Sequence, residues 1–284
     1  MVKIALAMLA FAANSLFCRL ALAQTEITPS LFNLIRLISG AACLVLLTLL
    51  ANRSNKNRSF IRSIKRDATP LGGLSLFVYA ICFALAYVNM TTGTGALLLF
   101  GSVQLTMIAY SVIHNEHFSK IQWLGFLMAL AGMVTLLLPT VETPPSVFCS
   151  NDGYCLGMAW GAYSLLGRKS SSPLMATTGN FIIASLLALI TLPALTFFAT
   201  VNIEAPMLGV SYALASGIFA SAIGYAIWYS VLPSITSTSA ATVQLSVPAI
   251  ATIMGWAFLD ESLTLQIIAA LMLTLGGIYI VIRK

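Results

Sequence analysis

Residues 263–282 read LTLQIIAALMLTLGGIYIVI, twenty successive residues without a charge, followed at once by Arg283 and Lys284. A helix of this length spans about 30 Å, which is the thickness of the hydrocarbon core of a bilayer. Backbone groups cannot stay unpaired in lipid, so an apolar segment of this length has to be helical. The stretch therefore predicts a transmembrane helix whose basic end lies in the cytoplasm.

Comparable apolar blocks recur along the chain of 284 residues, of which 59% are hydrophobic and 8% charged. A typical soluble domain carries about 25% charged residues. The connections between the blocks are short, so no soluble domain fits among them. We expect an all-α membrane protein with ten transmembrane helices, at residues 2–23, 30–51, 71–90, 94–113, 120–139, 153–168, 174–198, 207–231, 236–258 and 263–282.

The distribution of basic residues predicts the orientation of these helices. If the N-terminus is cytoplasmic, twelve of the fourteen Lys and Arg residues fall on the cytoplasmic side and the outer loops receive none. These twelve are Lys3, Arg53, Lys56, Arg58, Arg62, Lys65, Arg66, Lys120, Arg168, Lys169, Arg283 and Lys284. The pattern follows the positive-inside rule, so both termini are expected in the cytoplasm of a bacterial inner membrane.

The net charge of +6 is explained by this topology. A nucleic-acid partner is not expected, because the basic residues are spread over several membrane-flanking loops. The expected partners are membrane lipids and a small-molecule substrate, with the chain acting as a monomer or a homodimer.

The second half of the chain echoes the first at a spacing of 145 residues, which aligns Glu116 with Glu261 and Gly132 with Gly277. The predicted repeats are residues 1–139 and 153–284, joined by an outer linker at 140–152. Five helices per repeat is an odd number, so the two repeats should insert with opposite topology. Inverted repeats of this kind are typical of transporters, which bind substrate near the membrane midplane between the halves.

Several short motifs, taken in order, resemble the EamA-type branch of the drug/metabolite transporter superfamily over essentially the whole chain. They include Ala13-Asn14-Ser15, Trp160 with Tyr163 and Arg168, and the stretch from Phe258 to Thr264. The resemblance implies a central cavity built from helices 1–4 and 6–9, with helices 5 and 10 outside it. It also implies export or exchange of amino acids or other metabolites.

Arg19 and Arg36 are the two charged residues expected inside helices. A charge within the membrane usually pairs or faces a polar cavity, so Arg36 is a candidate contact for a carboxylate or phosphate of the substrate. The alternative is that each arginine extends its side chain to the interface or binds backbone carbonyls.

Amide side chains in the predicted helices are further candidates. Asn14, Gln104 and Gln244 could bind substrate, whereas interhelical hydrogen bonding is the alternative, and a structural use is favoured for Asn89 and Asn180. Pro248 has no amide hydrogen for the carbonyl of Gln244, so a kink is expected in the ninth helix.

Aromatic residues recur at helical spacing and complete the predicted site. Tyr79 and Phe83 share one face of the third helix, and Tyr225 and Tyr229 share one face of the eighth. Such rings suit a cavity for apolar or aromatic solutes, unless they form an interfacial belt, which is the alternative for Trp228 as well. The predicted substrate-binding residues are Asn14, Arg36, Tyr79, Phe83, Gln104, Trp160, Tyr163, Tyr225, Tyr229 and Gln244.

An enzymatic function is not expected. The two histidines, His114 and His117, lie in a predicted cytoplasmic loop, which does not fit an intramembrane metal centre. No Asp or Glu lies deep inside a predicted helix, which also argues against a proton relay. We predict no metal and no cofactor. The alternatives to a metabolite transporter are a broad-range exporter of apolar compounds and a non-transporting membrane subunit or sensor.

Two helix-end features give separate expectations. Glu116 and Glu261 should act mainly through structural contacts at helix ends. Cys149 and Cys155 flank Asn151-Asp152-Gly153, a sequence that favours a turn, so a disulfide at the oxidising outer face is predicted if the sixth helix begins near Gly153.

Overall fold

The computed structural model describes residues 1–52, 64, 66–89, 92–138, 147–199, 205–259 and 262–283, and this part of the chain contains helices and no β-strand. Within it, the side chains of residues 52, 84–89, 92–98, 147–153, 192–199 and 259 are not described. The helices are α1 (Val2–Gln24), α2 (Pro29–Asn52), α3 (Pro70–Asn89), α4 (Thr92–Ile113), α5 (Lys120–Leu137), α6 (Val147–Gly167), α7 (Pro173–Ala199), α8 (Met207–Ala215, Ser216–Ile223 and Gly224–Val231), α9 (Ser237–Gln244 and Ser246–Leu259) and α10 (Leu265–Ile282).

Seven of these ten helices are long and apolar enough to cross a membrane, judged on the described residues. They are α1, α2, α5, α7, α8, α9 and α10. Shorter apolar segments, Pro70–Phe83 and Leu99–Ile113, lie in α3 and α4. The chain is therefore a multi-pass membrane protein, and membrane crossing by α3, α4 and α6 stays a prediction.

Several helices have a serine or threonine N-cap. Its hydroxyl accepts a hydrogen bond from a backbone N–H of the first turn, which would otherwise be unpaired. Ser119 and Gln122 form the predicted capping box at the start of α5. Thr236 accepts the N–H of Ser239 at 3.1 Å to begin α9, and Thr264 accepts that of Ile267 at 3.3 Å to begin α10. These caps pair backbone N–H groups that would otherwise be left unpaired where a short connection enters a helix.

Two helices depart from regular α geometry near their middle. Residues Ser216–Ile223 of α8 form a π-helical segment, a wider turn that often marks functional sites. Helix α9 is interrupted at Leu245, three residues before Pro248. The interruption agrees with the predicted kink, because Pro248 cannot donate to the carbonyl of Gln244.

The helices pack in pairs that join the first half of the chain to the second. Helix α2 contacts α7, α4 contacts α9, and α5 packs along α10. In addition, α1 contacts α8, and α3 contacts α6. The interior of the bundle is thus formed by both halves rather than by each half separately.

The predicted start of the sixth helix is wrong. The expectation was residue 153, but α6 begins at Val147 and passes through both Cys149 and Cys155. Six residues of helix rise about 9 Å, which is more than the 7 Å that a disulfide allows between Cα atoms. Cys155 is accordingly a free thiol, and the predicted disulfide is not formed. The side chain of Cys149 lies outside the described residues.

Candidate functional site

The aromatic residues predicted for the site form a connected group inside the bundle. Trp160 of α6 lies between Tyr79 of α3 and Tyr225 of α8, at ring-centroid distances of 4.8 and 5.0 Å. Tyr163 contacts Trp160 at 5.5 Å and Tyr229 at 4.7 Å. The six predicted rings are all buried: Tyr79, Phe83, Trp160, Tyr163, Tyr225 and Tyr229. The interfacial-belt interpretation is therefore wrong for Tyr79, Phe83, Tyr225 and Tyr229.

Arg36 of α2 lies beside this group and is only 1% exposed. Its guanidinium carbon lies 5.5 Å from the ring centre of Phe83 and 5.9 Å from that of Tyr79, within the range of a cation–π interaction. The interpretation that Arg36 reaches the membrane interface is wrong, since it is buried. Arg19 of α1, by contrast, is only partly buried.

Asn14 of α1 connects Arg36 to the second half of the chain. Its Oδ1 atom accepts a hydrogen bond from Nη1 of Arg36 at 3.4 Å and another from Oγ of Ser216 at 2.6 Å. Ser216 is the first residue of the π-helical segment of α8. The irregular turn therefore brings a hydroxyl group to a polar contact deep inside the bundle.

Gln244 and Gln104 form hydrogen bonds with different parts of the bundle. Gln244 accepts a hydrogen bond from the indole Nε1 of Trp160 and donates to the carbonyl of Ala240 at 3.1 Å, which ties α9 to the aromatic group. Gln104 of α4 donates to the carbonyl of Ala241 at 2.9 Å. This bond is the interhelical alternative considered for Gln104, and it joins α4 to α9. Nine of the ten predicted site residues are thus linked by direct contacts, and the hydrogen bond of Gln104 goes to Ala241 outside this set.

The structure adds residues that the sequence pattern did not single out. Phe11 of α1 makes edge-to-face contacts with Trp160 at 5.3 Å and with Tyr225 at 5.4 Å. Ser216 also belongs to the group through Asn14. A phenylalanine in an apolar helix and a serine among small residues are ordinary in a transmembrane segment, so only their positions in space distinguish them.

Other buried polar residues have structural roles. Asn180 of α7 donates to the hydroxyl of Tyr229 at 3.2 Å and accepts the N–H of Thr69 at 3.3 Å. Trp228 donates to the hydroxyl of Ser164 at 3.2 Å and is fully buried, which excludes the interfacial position considered for it. The side chain of Asn89 lies outside the described residues.

A second polar cluster lies at the end of the bundle where α4, α6 and α8 finish. Oε1 of Glu116 pairs with Nη1 of Arg168 at 2.5 Å, and Oε2 accepts the backbone N–H of Ser237 at 2.8 Å. Asn115 has a φ of 52°, a left-handed conformation that asparagine tolerates well and that ends α4 just before Glu116. Burial would by itself raise the pKa of Glu116, but the hydrogen bonds from Arg168 and Ser237 outweigh it and hold the pKa below its usual range.

Glu116 is therefore a helix-end residue, as predicted, but it acts on a helix of the other half. Its carboxylate lies at the N-terminus of α9, where unpaired N–H groups and the helix dipole favour a negative charge. Glu261, which the repeat aligns with it, lies outside the described residues.

Among the described side chains, no three His, Cys, Asp or Glu residues lie close enough together to hold a metal ion. The interior group instead offers one guanidinium, several amides and hydroxyls, and a set of aromatic rings. Side chains of these types are typical of sites that bind small organic molecules with a polar end and an apolar body.

The sequence pattern of a known family covers nearly the whole chain. The model of the EamA-like transporter family matches residues 1–138 and 153–283. The chain belongs to the EamA-like transporter family. This agrees with the resemblance identified from the motifs, and members of this family are transporters and not enzymes.

Two proteins similar to this EamA-like chain have names that state no substrate. An uncharacterized protein of Pseudomonas aeruginosa is 42% identical over 286 residues, covering 98% of this chain and 92% of the other. An uncharacterized transporter of Bacillus subtilis is 24% identical, covering 84% of this chain and 80% of the other. A solved crystal structure with 17% identity covers 98% of both chains at a TM-score of 0.76, so the EamA-like chain shares that fold.

Proposed function

We propose that this protein is an inner-membrane exporter or exchanger of small organic solutes, such as amino acids or related metabolites, and that it works by alternating access. The observation that carries the proposal is the interior group of Arg36, Asn14 and the surrounding aromatic rings, which both halves of the chain supply. A few polar groups in an apolar lining are typical of small-molecule sites. Membership of a transporter family argues against a non-transporting subunit or sensor.

The helix contacts support the predicted division into two inverted halves, residues 1–139 and 153–284, although residues 147–152 of the predicted linker at 140–152 belong to α6. A two-fold relation would exchange α1 with α6, α2 with α7, α3 with α8, α4 with α9 and α5 with α10. Under this relation, a contact between α1 and α8 implies a contact between α6 and α3. Likewise, a contact between α2 and α8 implies a contact between α7 and α3. All four contacts occur. In inverted-repeat transporters the substrate binds near the midplane between such halves.

The Glu116 cluster supports the alternating-access part of the proposal. It joins the end of α4 in the first half to the end of α6 and the start of α9 in the second. The topology predicted from the basic residues puts this end of the bundle in the cytoplasm. If one half rocks against the other, these contacts would have to break before the interior could open to the cytoplasm, and the described conformation would then be the one closed on that side.

A proteoliposome experiment tests the proposal. Liposomes with and without the purified protein are loaded with a bacterial metabolite extract, and the solutes released over time are identified by mass spectrometry. We expect a small set of organic solutes to leave faster from protein-containing liposomes, and external addition of the same solutes to accelerate the release if the protein exchanges them. Identical release profiles with and without protein would refute transport.

A broad exporter of apolar compounds is the second candidate, favoured by the number of buried rings around Trp160. The two candidates differ in their need for Arg36, because a neutral apolar compound has no group for a guanidinium to bind. Efflux of uncharged dyes that is equal in the wild type and in Arg36→Gln would support the broad exporter.

A further inference from the structure

We infer that the interior group selects solutes that carry one carboxylate and no ammonium group, with Arg36 as the countercharge and aromatic rings against the apolar part. The inference rests on the proposed function and narrows its substrate class to metabolites with a carboxylate, leaving out amino acids that carry a free ammonium group. It follows from the charge balance around Arg36, from the state of the nearby acceptors, and from the rings that surround them.

Among the described residues, the guanidinium of Arg36 is a buried positive charge without a negative partner. Among the described residues the ion pairs are Arg66 with Asp67 and Arg168 with Glu116, and no carboxylate pairs with Arg36. Its hydrogen bond to Asn14 is long, at 3.4 Å, and its Nε–H has no hydrogen-bond partner. A buried charge in this state is costly unless a counter-ion joins it, and a ligand carboxylate can supply both the charge and a second hydrogen bond.

The surroundings of Arg36 offer an ammonium group no anionic partner among the described residues, which argues against a zwitterion. Oδ1 of Asn14 has two lone pairs, and it accepts from both Arg36 and Ser216. An α-ammonium group would lie next to the guanidinium, so it would meet a like charge, and Oδ1 of Asn14 has no lone pair left to accept a hydrogen bond from it.

One guanidinium also favours a carboxylate over a phosphate. A phosphate monoester carries about 1.5 to 2 negative charges at neutral pH, which a single Arg36 does not balance. The rings of Tyr79, Phe83 and Trp160 then lie where the rest of the solute would extend. An apolar or aromatic body therefore completes the expected ligand.

Binding is measured with four compounds that share a benzene ring and a short chain: 3-phenylpropanoate, phenylalanine, phenethylamine and 3-phenylpropan-1-ol. The full-length protein in detergent is titrated with each at neutral pH, and binding is followed by the shift in its unfolding temperature. We expect 3-phenylpropanoate to bind at least tenfold more tightly than phenylalanine, and the amine and the alcohol to give no shift. Phenylalanine binding as tightly as 3-phenylpropanoate, or no shift with 3-phenylpropanoate, would overturn the inference.

Two variants test the role of Arg36, and a third is the control. Arg36→Gln should lose at least tenfold in affinity for 3-phenylpropanoate. Asn14→Asp should do the same while folding well, because it places an internal carboxylate beside the guanidinium and so competes with the ligand. Arg283→Gln removes an exposed arginine outside the cluster and should bind like the wild type. Unchanged affinity in a folded Asn14→Asp protein would contradict the assignment.

The proposed function and this inference can fail separately. If the metabolite screen detects release but 3-phenylpropanoate does not bind, transport stands and the carboxylate assignment falls. If 3-phenylpropanoate binds through Arg36 but the protein releases no solute from liposomes, the site stands and transport falls.

Discussion

Glu116 and Arg168 form an ion pair with 2.5 Å between Oε1 and Nη1, and this pair joins the two halves of the bundle. The side chains are 16% and 21% exposed, so solvent screens the pair only in part. Ser237 contributes its backbone N–H to the same carboxylate at 2.8 Å and its hydroxyl at 3.2 Å. The carboxylate thus holds together the ends of three helices.

The stability of this contact should depend on acidity. Because the pKa of Glu116 is lowered in the folded protein, its contribution is complete above the unfolded value of about 4.3 and is lost as the pH falls through the lower folded value. Glu116→Gln should be less stable at pH 7 by about 1.5–3 kcal/mol, the usual loss for a hydrogen-bonded charge. It should also show a flatter pH dependence below pH 4.3. Thermal unfolding in detergent at several pH values measures both effects.

Glu26→Gln is the matched control for that experiment, since Glu26 is an exposed carboxylate outside the cluster. It should leave the unfolding temperature unchanged at pH 7. Equal stability of Glu116→Gln and wild type at pH 7 would show that the ion pair contributes nothing to the fold.

Arg36→Met should separate function from stability. The substitution removes a buried charge without an ion partner among the described residues and keeps a long apolar side chain, a change that is often neutral or stabilising. We expect an unfolding temperature equal to or above that of the wild type, together with loss of solute transport. A clear fall in the unfolding temperature would instead assign Arg36 to the architecture of the bundle.

Two adjacent glycines in α10 should respond differently to substitution. A Cβ at Gly277 would lie 2.5 Å from the backbone nitrogen of Ala129 in α5, whereas a Cβ at Gly276 would meet nothing within 4 Å. Gly277→Ala should therefore destabilise the protein by about 1–3 kcal/mol through overpacking. Gly276→Ala should be neutral or stabilising, because alanine favours a helix over glycine. Similar unfolding temperatures for the two variants would contradict close packing of α5 on α10.

The orientation can be tested with reporter fusions. The absence of Lys and Arg from the outer loops predicts cytoplasmic termini, with residue 60 inside and residue 146 outside. Alkaline phosphatase fused after residue 146 should be active, and the same enzyme fused after residue 60 should be inactive, with the reverse result for a green fluorescent protein. Reporters that place both positions on the same side would contradict the predicted topology.

Much of the fold could be read from local patterns. The order of the ten helices, the capping box at Ser119 and the interruption of α9 near Pro248 each depend on residues close in the chain. The start of α6 was predicted wrongly because Asn151-Asp152-Gly153 usually favours a turn. Helix α6 nevertheless runs through this sequence, so local propensity is a weak guide there.

The residue types of the candidate site were also visible in the sequence, because an arginine, amides and tyrosines are rare and costly in a helix that faces lipid. Their connections were not visible. Residues 14, 36 and 216 meet only through the packing of α1, α2 and α8, and Ser216 reaches Asn14 from a π-helical turn. Nothing in the local pattern predicted that turn.

The composition, the length of the apolar blocks and the placement of basic residues specify a bundle of membrane helices, because the bilayer imposes its thickness and its lack of hydrogen-bonding partners on every segment alike. Which side chains share the interior depends on contacts between residues far apart in the chain. Arg36 could have reached the interface or bound a carboxylate. Packing buried it instead among rings from α3 and beside Asn14 of α1, and among the described residues it left the charge without an ion partner.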